Sequence, residues 1–192
     1  MNNITPFYGG PFSQWYKCKF KPAMNPKNPD DAEEFSSAEQ YMMYCKAKLF
    51  GDSEAMKWIM ATDDPKVQKS LGRTVQNFDE EIWKRHREEI VFIGNCLKFG
   101  QNEELREELL NTGDSLLVEA SPYDRVWGVG LSEIDPRIAD PEKWQGDNLL
   151  GKVLMRVRES LKEQEDPSEY LSSDEYNQSY RQSVRDDGFP DA

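Results

Sequence analysis

The sequence predicts an α+β domain, predominantly helical, with a small β-sheet. Three observations point there. Apolar residues recur at helical spacing through most of residues 36–161. Helix-start residues of the Ser, Asp and Asn type stand before those runs. Only short segments, Ser115–Val118 and Val126–Leu131, read as extended and apolar. A chain of 192 residues suits one domain and can bury a core without disulfide or metal staples.

The elements follow in order. Phe7 to Phe20 is rich in aromatics (Phe7, Tyr8, Phe12, Trp15, Tyr16, Phe20) and is broken by Gly9-Gly10-Pro11, so it reads as irregular or short-strand structure. Residues 22–34, rich in Pro, Asn and Asp, read as a surface loop. Ser36-Ser37-Ala38-Glu39 fits a capping box, with Ser36 as cap and Glu39 at the third helical position. That helix runs through Tyr41, Met42, Cys45 and Leu49 to Gly51. Ser53 opens a second helix, with Met56, Ile59 and Met60 inward, and Asp64-Pro65 starts a third. Asp79 to Lys98 is the longest helical pattern, and His86 is expected on its surface. Asn102 caps a further helix that ends at Thr112-Gly113. Ser115–Val118 and Val126–Leu131 are expected as a strand pair around a polar turn. Residues 132–147 are loop-like, and Asp147 or Asn148 caps a last helix, roughly Leu149 to Leu161. Residues 1–162 form the domain by this reading. From Glu163 the periodicity stops, and residues 163–192 read as an acidic, flexible tail.

Charge narrows the function. The net charge is −12, of which residues 163–192 hold −7, with nine acids against two bases, leaving −5 for the body. That argues against a broad grip on a nucleic-acid backbone, which needs clustered Lys and Arg. A single nucleotide in a local pocket remains compatible. Cys18, Cys45 and Cys96 are far apart and odd in number, so free thiols in a reducing compartment are expected. With one histidine, His86, and no CxxC spacing, no metal site is expected. No apolar run approaches membrane-spanning length and no signal peptide is visible, so a cytoplasmic location is expected.

Chemistry concentrates in a few places. The segment Glu119 to Leu131 packs Glu119, Ser121, Asp124, Trp127, Gly128 and Gly130 into one short stretch. A polar turn presents Ser121 and Asp124 at a pocket rim, while glycines beside a tryptophan let backbone and ring approach a ligand. The alternative is an ordinary hairpin with Trp127 in the core. Glu39 and Lys46, seven residues apart, fall on nearly one helix face. They line a cleft if that face is not solvent; otherwise Glu39 only completes the capping box. Arg73, after Gly72, and Arg87 are candidates for a phosphate. In Lys98-Phe-Gly-Gln-Asn102 the amides and lysine suit a base or sugar, with helix capping by Asn102 the plainer reading. No glycine-rich phosphate loop of the GxxxxGKT or GxGxxG type is present.

Taken in order, these pieces resemble a known family. They are Pro11-Phe-Ser-Gln-Trp-Tyr16, Ser36-Ser-Ala-Glu-Gln-Tyr-Met-Met43, Lys46-Ala-Lys-Leu-Phe-Gly-Asp52, Leu71-Gly-Arg73, Trp83, Lys98-Phe-Gly-Gln-Asn102 and Leu110-Asn-Thr-Gly113. Leu117-Val-Glu-Ala-Ser121, Asp124, Trp127-Gly-Val-Gly-Leu131 and Asn148-Leu-Leu-Gly-Lys-Val-Leu-Met155 follow. Over roughly residues 7–162 the chain resembles the NADAR (YbiA-like) family of N-glycosidases. The resemblance implies a mainly helical α+β fold and hydrolysis of a C–N glycosidic bond without metal or cofactor. The substrate it implies is a ribosylated base: ADP-ribose on guanine in nucleic acid, or a phosphorylated ribosylamino-pyrimidine of riboflavin synthesis.

Carried onto this sequence, the resemblance makes Glu39, Lys46 and Asp124 catalytic. Trp15, Arg73, Trp83, Asn102, Ser121, Trp127 and Gly128 become the substrate-binding candidates. Gln14 stands where the family often has Asn, and the turn at residues 21–35 is longer, so both departures fall on the N-terminal pocket wall. The chemistry suits these residues. Cleavage builds positive charge on the anomeric carbon and negative charge on the leaving base, which a carboxylate and a proton donor answer. The Lys46 amine attacks the anomeric carbon to give a Schiff base, or it binds phosphate in an oxocarbenium route. The readings from other classes are a non-catalytic module that binds ADP-ribose or a nucleotide, and an interaction protein acting through the acidic tail.

Overall fold

The structure, a computed structural model, describes residues 3–22 and 33–163. It is α+β, with six α-helices and a two-stranded sheet among the described residues. The expected acidic tail, apart from Glu163, lies outside them, as does most of the loop expected at 22–34.

Strand β1 (Ile4–Phe7) leads into an irregular aromatic segment and then helix α1 (Ala38–Leu49). Helices α2 (Ser53–Met60), α3 (Pro65–Gly72), α4 (Glu80–Gly100) and α5 (Glu103–Leu110) follow. Strand β2 (Leu116–Glu119), two 3-10 turns (Pro136–Ala139, Pro141–Lys143) and helix α6 (Leu149–Glu163) complete the fold. Asp52, Asp64 and Asp79 each accept a backbone N–H as N-caps, which is why α2, α3 and α4 begin where the sequence predicts.

The cap of α1 differs from the expectation. Ser37, not Ser36, is the N-cap: its Oγ accepts the Gln40 N–H and donates to Gln68 Oε1. Gln40, not Glu39, reaches back, its Oε1 accepting from Ser36 N–H and Oγ–H. Gln40 Nε2 also donates to the Ile59 and Thr62 carbonyls, so its amide ties α1 to α2 and the α2–α3 turn. Every polar atom of Gln40 is therefore satisfied in the interior, and Glu39 is free for other work.

The expected hairpin is also corrected. β2 pairs in parallel with β1, Ile4 opposite Leu116 and Phe7 opposite Glu119. Residues 126–131 form no strand; this segment makes single backbone bonds, Val129 N–H to the Glu119 carbonyl and Gln145 N–H to the Val129 carbonyl. The stronger demand on it comes from α6. Leu149 and Leu150, at the start of that helix, donate their N–H groups to the carbonyls of Val126 and Trp127. The loop thus satisfies two of the donors that a helix start leaves orphaned. Asn148, at φ 53°, uses its side chain elsewhere: Oδ1 accepts the Glu119 N–H and Nδ2 donates to the Leu117 carbonyl. It clamps β2 rather than capping α6 through its side chain.

The main core lies between α1, α4, α5 and α6, built on Phe35, Phe50, Ile59, Ile90, Leu97, Phe99, Leu109, Leu150, Leu154 and Val157. A smaller cluster of Val118, Ala120, Val129, Leu131 and Ile138 supports the loop after β2. His86, expected on the surface, is buried at 4% exposure on the inward face of α4.

Candidate active site

A cavity of about 800 Å³ opens between the N-terminal aromatic segment, α1, α3, α4 and the loop after β2. That volume falls within the range of small-molecule sites. α1 contributes Glu39, Met42, Met43 and Lys46; α3 and its end contribute Lys69, Gly72 and Arg73. α4 contributes Glu80, Trp83 and Arg87, and the segment from β2 onward contributes Glu119, Ser121, Tyr123, Asp124, Val126 and Trp127. Gln14 and Trp15 close the remaining side.

Glu39 is 2% exposed, and its Oε1 has no hydrogen-bond partner. Burial pushes its carboxyl up to about 7, against Lys69, a hydrogen bond from the Trp15 side chain and Arg73, all of which favour the charged form. Asp124 adds to the upward push. Glu119 behaves alike: burial, then Asp124 and Glu39, raise it to about 7, with Lys69 opposing. Two carboxyls in one cavity are therefore held well above the ordinary carboxylate range, where each can give or take a proton near neutral pH.

Asp124 is held differently. Its Oδ1 accepts the N–H groups of Val126 and Trp127 at 2.9 and 2.8 Å, which locks the turn and fixes the carboxylate at the cavity edge.

Lys46 projects from the next two turns of α1. Its Nζ donates to the Gly72 carbonyl at 2.8 Å and sits 4.0 Å from the Phe78 ring centroid and 5.5 Å from that of Trp83. Desolvation holds its pKa below the ordinary lysine value; Glu80 opposes this and Arg73 adds to it. A lowered lysine pKa raises the fraction of neutral, nucleophilic amine. The Arg87 guanidinium lies 5.9 Å from the Trp127 ring, and its Nε is buried without a partner.

The cavity therefore gathers Glu39, Lys46, Asp124, Trp15, Arg73, Trp83, Ser121 and Trp127. Two predicted residues stand elsewhere. Asn102 donates from Nδ2 to the carbonyls of Lys19 and Lys98, bracing the chain rather than lining the cavity. It heads α5 without a side-chain capping bond. Gly128 is buried behind the wall, where a Cβ would fall 2.9 Å from the Glu119 carbonyl oxygen, so it permits close backbone packing. Lys98 is likewise a strut: its Nζ donates to the Pro11 and Ser13 carbonyls at 2.6 and 2.9 Å, fixing the turn that carries Gln14 and Trp15. The three cysteines are free, and burial raises the pKa of each, to about 11 for Cys45 and about 12 for Cys96, so none is an activated nucleophile. Among the described residues no group of three or more His, Cys, Asp or Glu is placed to hold a metal ion, and no helix is long and apolar enough to cross a membrane.

In sequence, Glu119 and Lys69 had no chemical role, and Gln14 stood on the pocket wall only as a departure from the family pattern. A signal existed for Lys69, which precedes Arg73 by four residues and so shares its helix face. Glu119 carried a weaker one, as an acid ending an apolar strand.

Comparison with known proteins gives the family and the fold. The NADAR domain family matches residues 6–162. N-glycosidase R617 of Acanthamoeba polyphaga mimivirus is 48% identical over 148 residues, covering 77% of this chain and 85% of that protein. Riboflavin biosynthesis protein VVA0006 of Vibrio vulnificus is 32% identical over 120 residues, covering 62% of this chain but only 30% of that longer protein. The NMR structure of the E. coli protein YbiA superposes with a TM-score of 0.66 at 26% identity, covering 90% of this chain and 89% of that one.

Proposed function

The chain belongs to the NADAR domain family, and on that premise we propose that it is an N-glycosidase that hydrolyses the C–N bond between a ribose and a base. The observation that carries this reading is the meeting of Glu39, Lys46, Asp124 and Trp127 in one cavity. Glu39, pushed up to about 7, retains a proton at neutral pH and serves as the acid for the departing base nitrogen. The partly desolvated Lys46 amine attacks the anomeric carbon and displaces the base. The amine proton is lost, the ring C–O bond opens with its oxygen protonated to give a Schiff base, and water hydrolyses that to release the still-phosphorylated sugar and regenerate the amine. Asp124 holds ribose hydroxyls or the incoming water, and Trp127 offers a face on which the base stacks.

The finer reading is ADP-ribose on guanine in nucleic acid. The cavity is roomy, and Lys69, Arg73 and Arg87 line it, enough positive charge to meet a pyrophosphate while the Lys46 amine serves the sugar carbon. A base displayed singly from a strand end needs no long basic groove. The second reading is a phosphorylated ribosylamino-pyrimidine, favoured by the name of the Vibrio vulnificus relative.

The test offers the protein an ADP-ribosyl-guanine oligonucleotide and a ribosylamino-pyrimidine phosphate in parallel and measures released base by mass spectrometry. Release from the oligonucleotide is expected. Release from the pyrimidine alone would make it a metabolite glycosidase. Saturable binding with no release from either would mark a non-catalytic binding module and end the enzyme reading.

A further inference from the structure

Glu119 is a buried carboxyl of the cavity wall that has no task in the cleavage described above. It is firmly held. Its N–H donates to Asn148 Oδ1 at 3.0 Å, its carbonyl accepts the Val129 N–H at 3.0 Å, and it ends β2 opposite Phe7. Its Oε2 is buried without a hydrogen-bond partner, and so is Oε1 of Glu39, which lines the same cavity from α1. A buried carboxylate oxygen without a partner is costly, and folded proteins keep such groups where a bound molecule completes them. The charges that face the two carboxyls come from every side of the cavity. Lys69 of α3 and Asp124 of the following loop act on both, Arg73 at the end of α3 acts on Glu39, and the Glu39 carboxyl acts on Glu119. Like charges in one buried cavity disfavour double ionisation, and two carboxyls so placed can hold one proton between them.

Resting on the N-glycosidase reading, we infer that Glu119 is a second catalytic carboxyl, and that Glu119 and Glu39 together hold one proton that passes to the leaving base nitrogen. The C–N bond breaks, its electron pair goes to nitrogen, and the shared proton follows. The base departs neutral and both carboxyls are left as carboxylates facing the cationic sugar carbon. Water completes the reaction at that carbon, directly or by hydrolysis of the lysine adduct, and the proton released in adding water restores the pair.

The experiment compares the wild-type protein with Glu119→Gln, Glu39→Gln and the double variant on the ribosylated base, with thermal denaturation of each as the control for folding. Glu119→Gln is expected to lower kcat for base release about 10²-fold or more with KM little changed. The double variant is expected to lose no more than the worse single one, because two groups sharing one proton act as a unit. The alkaline limb of the kcat–pH profile is expected to move when Glu119 is replaced. Glu119→Gln within threefold of the wild type on the base substrate would overturn the inference. So would losses that multiply in the double variant, or an alkaline limb that stays in place. If the folded wild type releases no base at all, the N-glycosidase reading itself has failed, an outcome distinct from these.

Discussion

Asn95 and Gln14 meet in the interior: Asn95 Nδ2 donates to Gln14 Oε1 at 2.8 Å while also donating to the Val91 carbonyl at 2.8 Å. The second bond fixes the Asn95 amide, and Asn95 in turn fixes which end of the Gln14 amide is oxygen. Gln14 Nε2 is thereby left buried, without a partner, on the cavity wall. Under the proposed function it is the donor expected to meet a substrate oxygen. Replacing Gln14 by Met keeps the length and removes the donor. A loss of about 10- to 100-fold in kcat/KM is expected, from one buried hydrogen bond. Steady-state kinetics checks it; an unchanged value would show that the amide faces no substrate atom.

The register of the α1 cap separates stability from activity. Ser37→Ala removes the acceptor for the Gln40 N–H and the donor to Gln68. A loss of about 1–2 kcal/mol in unfolding free energy is expected by denaturant titration. Glu39→Gln touches neither bond, so it should leave the helix start intact while abolishing most turnover. Equal destabilisation by the two variants would restore Glu39 to the cap.

The raised carboxyls predict a pH signature. Glu39 and Glu119 titrate near 7 in the folded protein, above the ordinary value of 4.5. The folded state thus holds more protons between those values. This contribution to stability is complete below about pH 4.5 and is lost as pH rises through about 7. Glu39→Gln should therefore stabilise the protein relative to wild type more at pH 8 than at pH 4.5, by on the order of 3 kcal/mol at most. Denaturant titrations at the two pH values measure the difference. A gap independent of pH would contradict the burial of a charge at this position.

Close packing behind the loop sets another expectation. A Cβ on Gly151 would overlap the Leu117 carbonyl oxygen and the Asn148 amide, which are backbone and a doubly bonded side chain, not a movable tip. Gly151→Ala should cost about 3 kcal/mol or more and lower the Tm accordingly. A Cβ on Gly72 would instead overlap the thioether of Met43, which can move. Gly72→Ala should disturb stability less, and activity more, because Lys46 is anchored on the Gly72 carbonyl.

The helices were legible because their signals are local. Asp52, Asp64-Pro65 and Asp79 each announce a start within three residues. The strand pairing was not, because β1 and β2 join residues more than a hundred positions apart and no local pattern encodes a parallel partner. Residues 126–131 look extended by composition, but their carbonyls are claimed by the start of α6. At Ser36-Ser37 and Glu39-Gln40 two capping registers are equally legible in sequence. The choice falls to the partners that Gln40 and Gln68 find in the fold. Asn102 and Lys98 look like binding groups in sequence, yet they spend their donors on backbone carbonyls of the N-terminal segment. Glu39, Lys46 and Asp124 could be named from motif order. The roles of Glu119 and Gln14 emerge from burial without a partner, although Gln14 already stood out in sequence as a departure on the pocket wall.

The covalent route makes its own prediction. Lys46 Nζ is the amine that the scheme places at the anomeric carbon. Cyanoborohydride added during turnover should trap a sugar adduct that peptide mapping assigns to Lys46. Undiminished turnover with no adduct would assign Lys46 a non-covalent role, such as holding phosphate.

Glycosidic cleavage in this cavity is proposed to run through Glu39 and Lys46. Base release from a ribosylated-base substrate, followed by mass spectrometry for the wild type, Lys46→Met and Lys46→Arg, tests it most directly. The account predicts release by the wild type and a fall of at least about 10²-fold in both variants, with folding retained. Release at the wild-type rate by either variant, or substrate bound by the wild type and never cleaved, would contradict it.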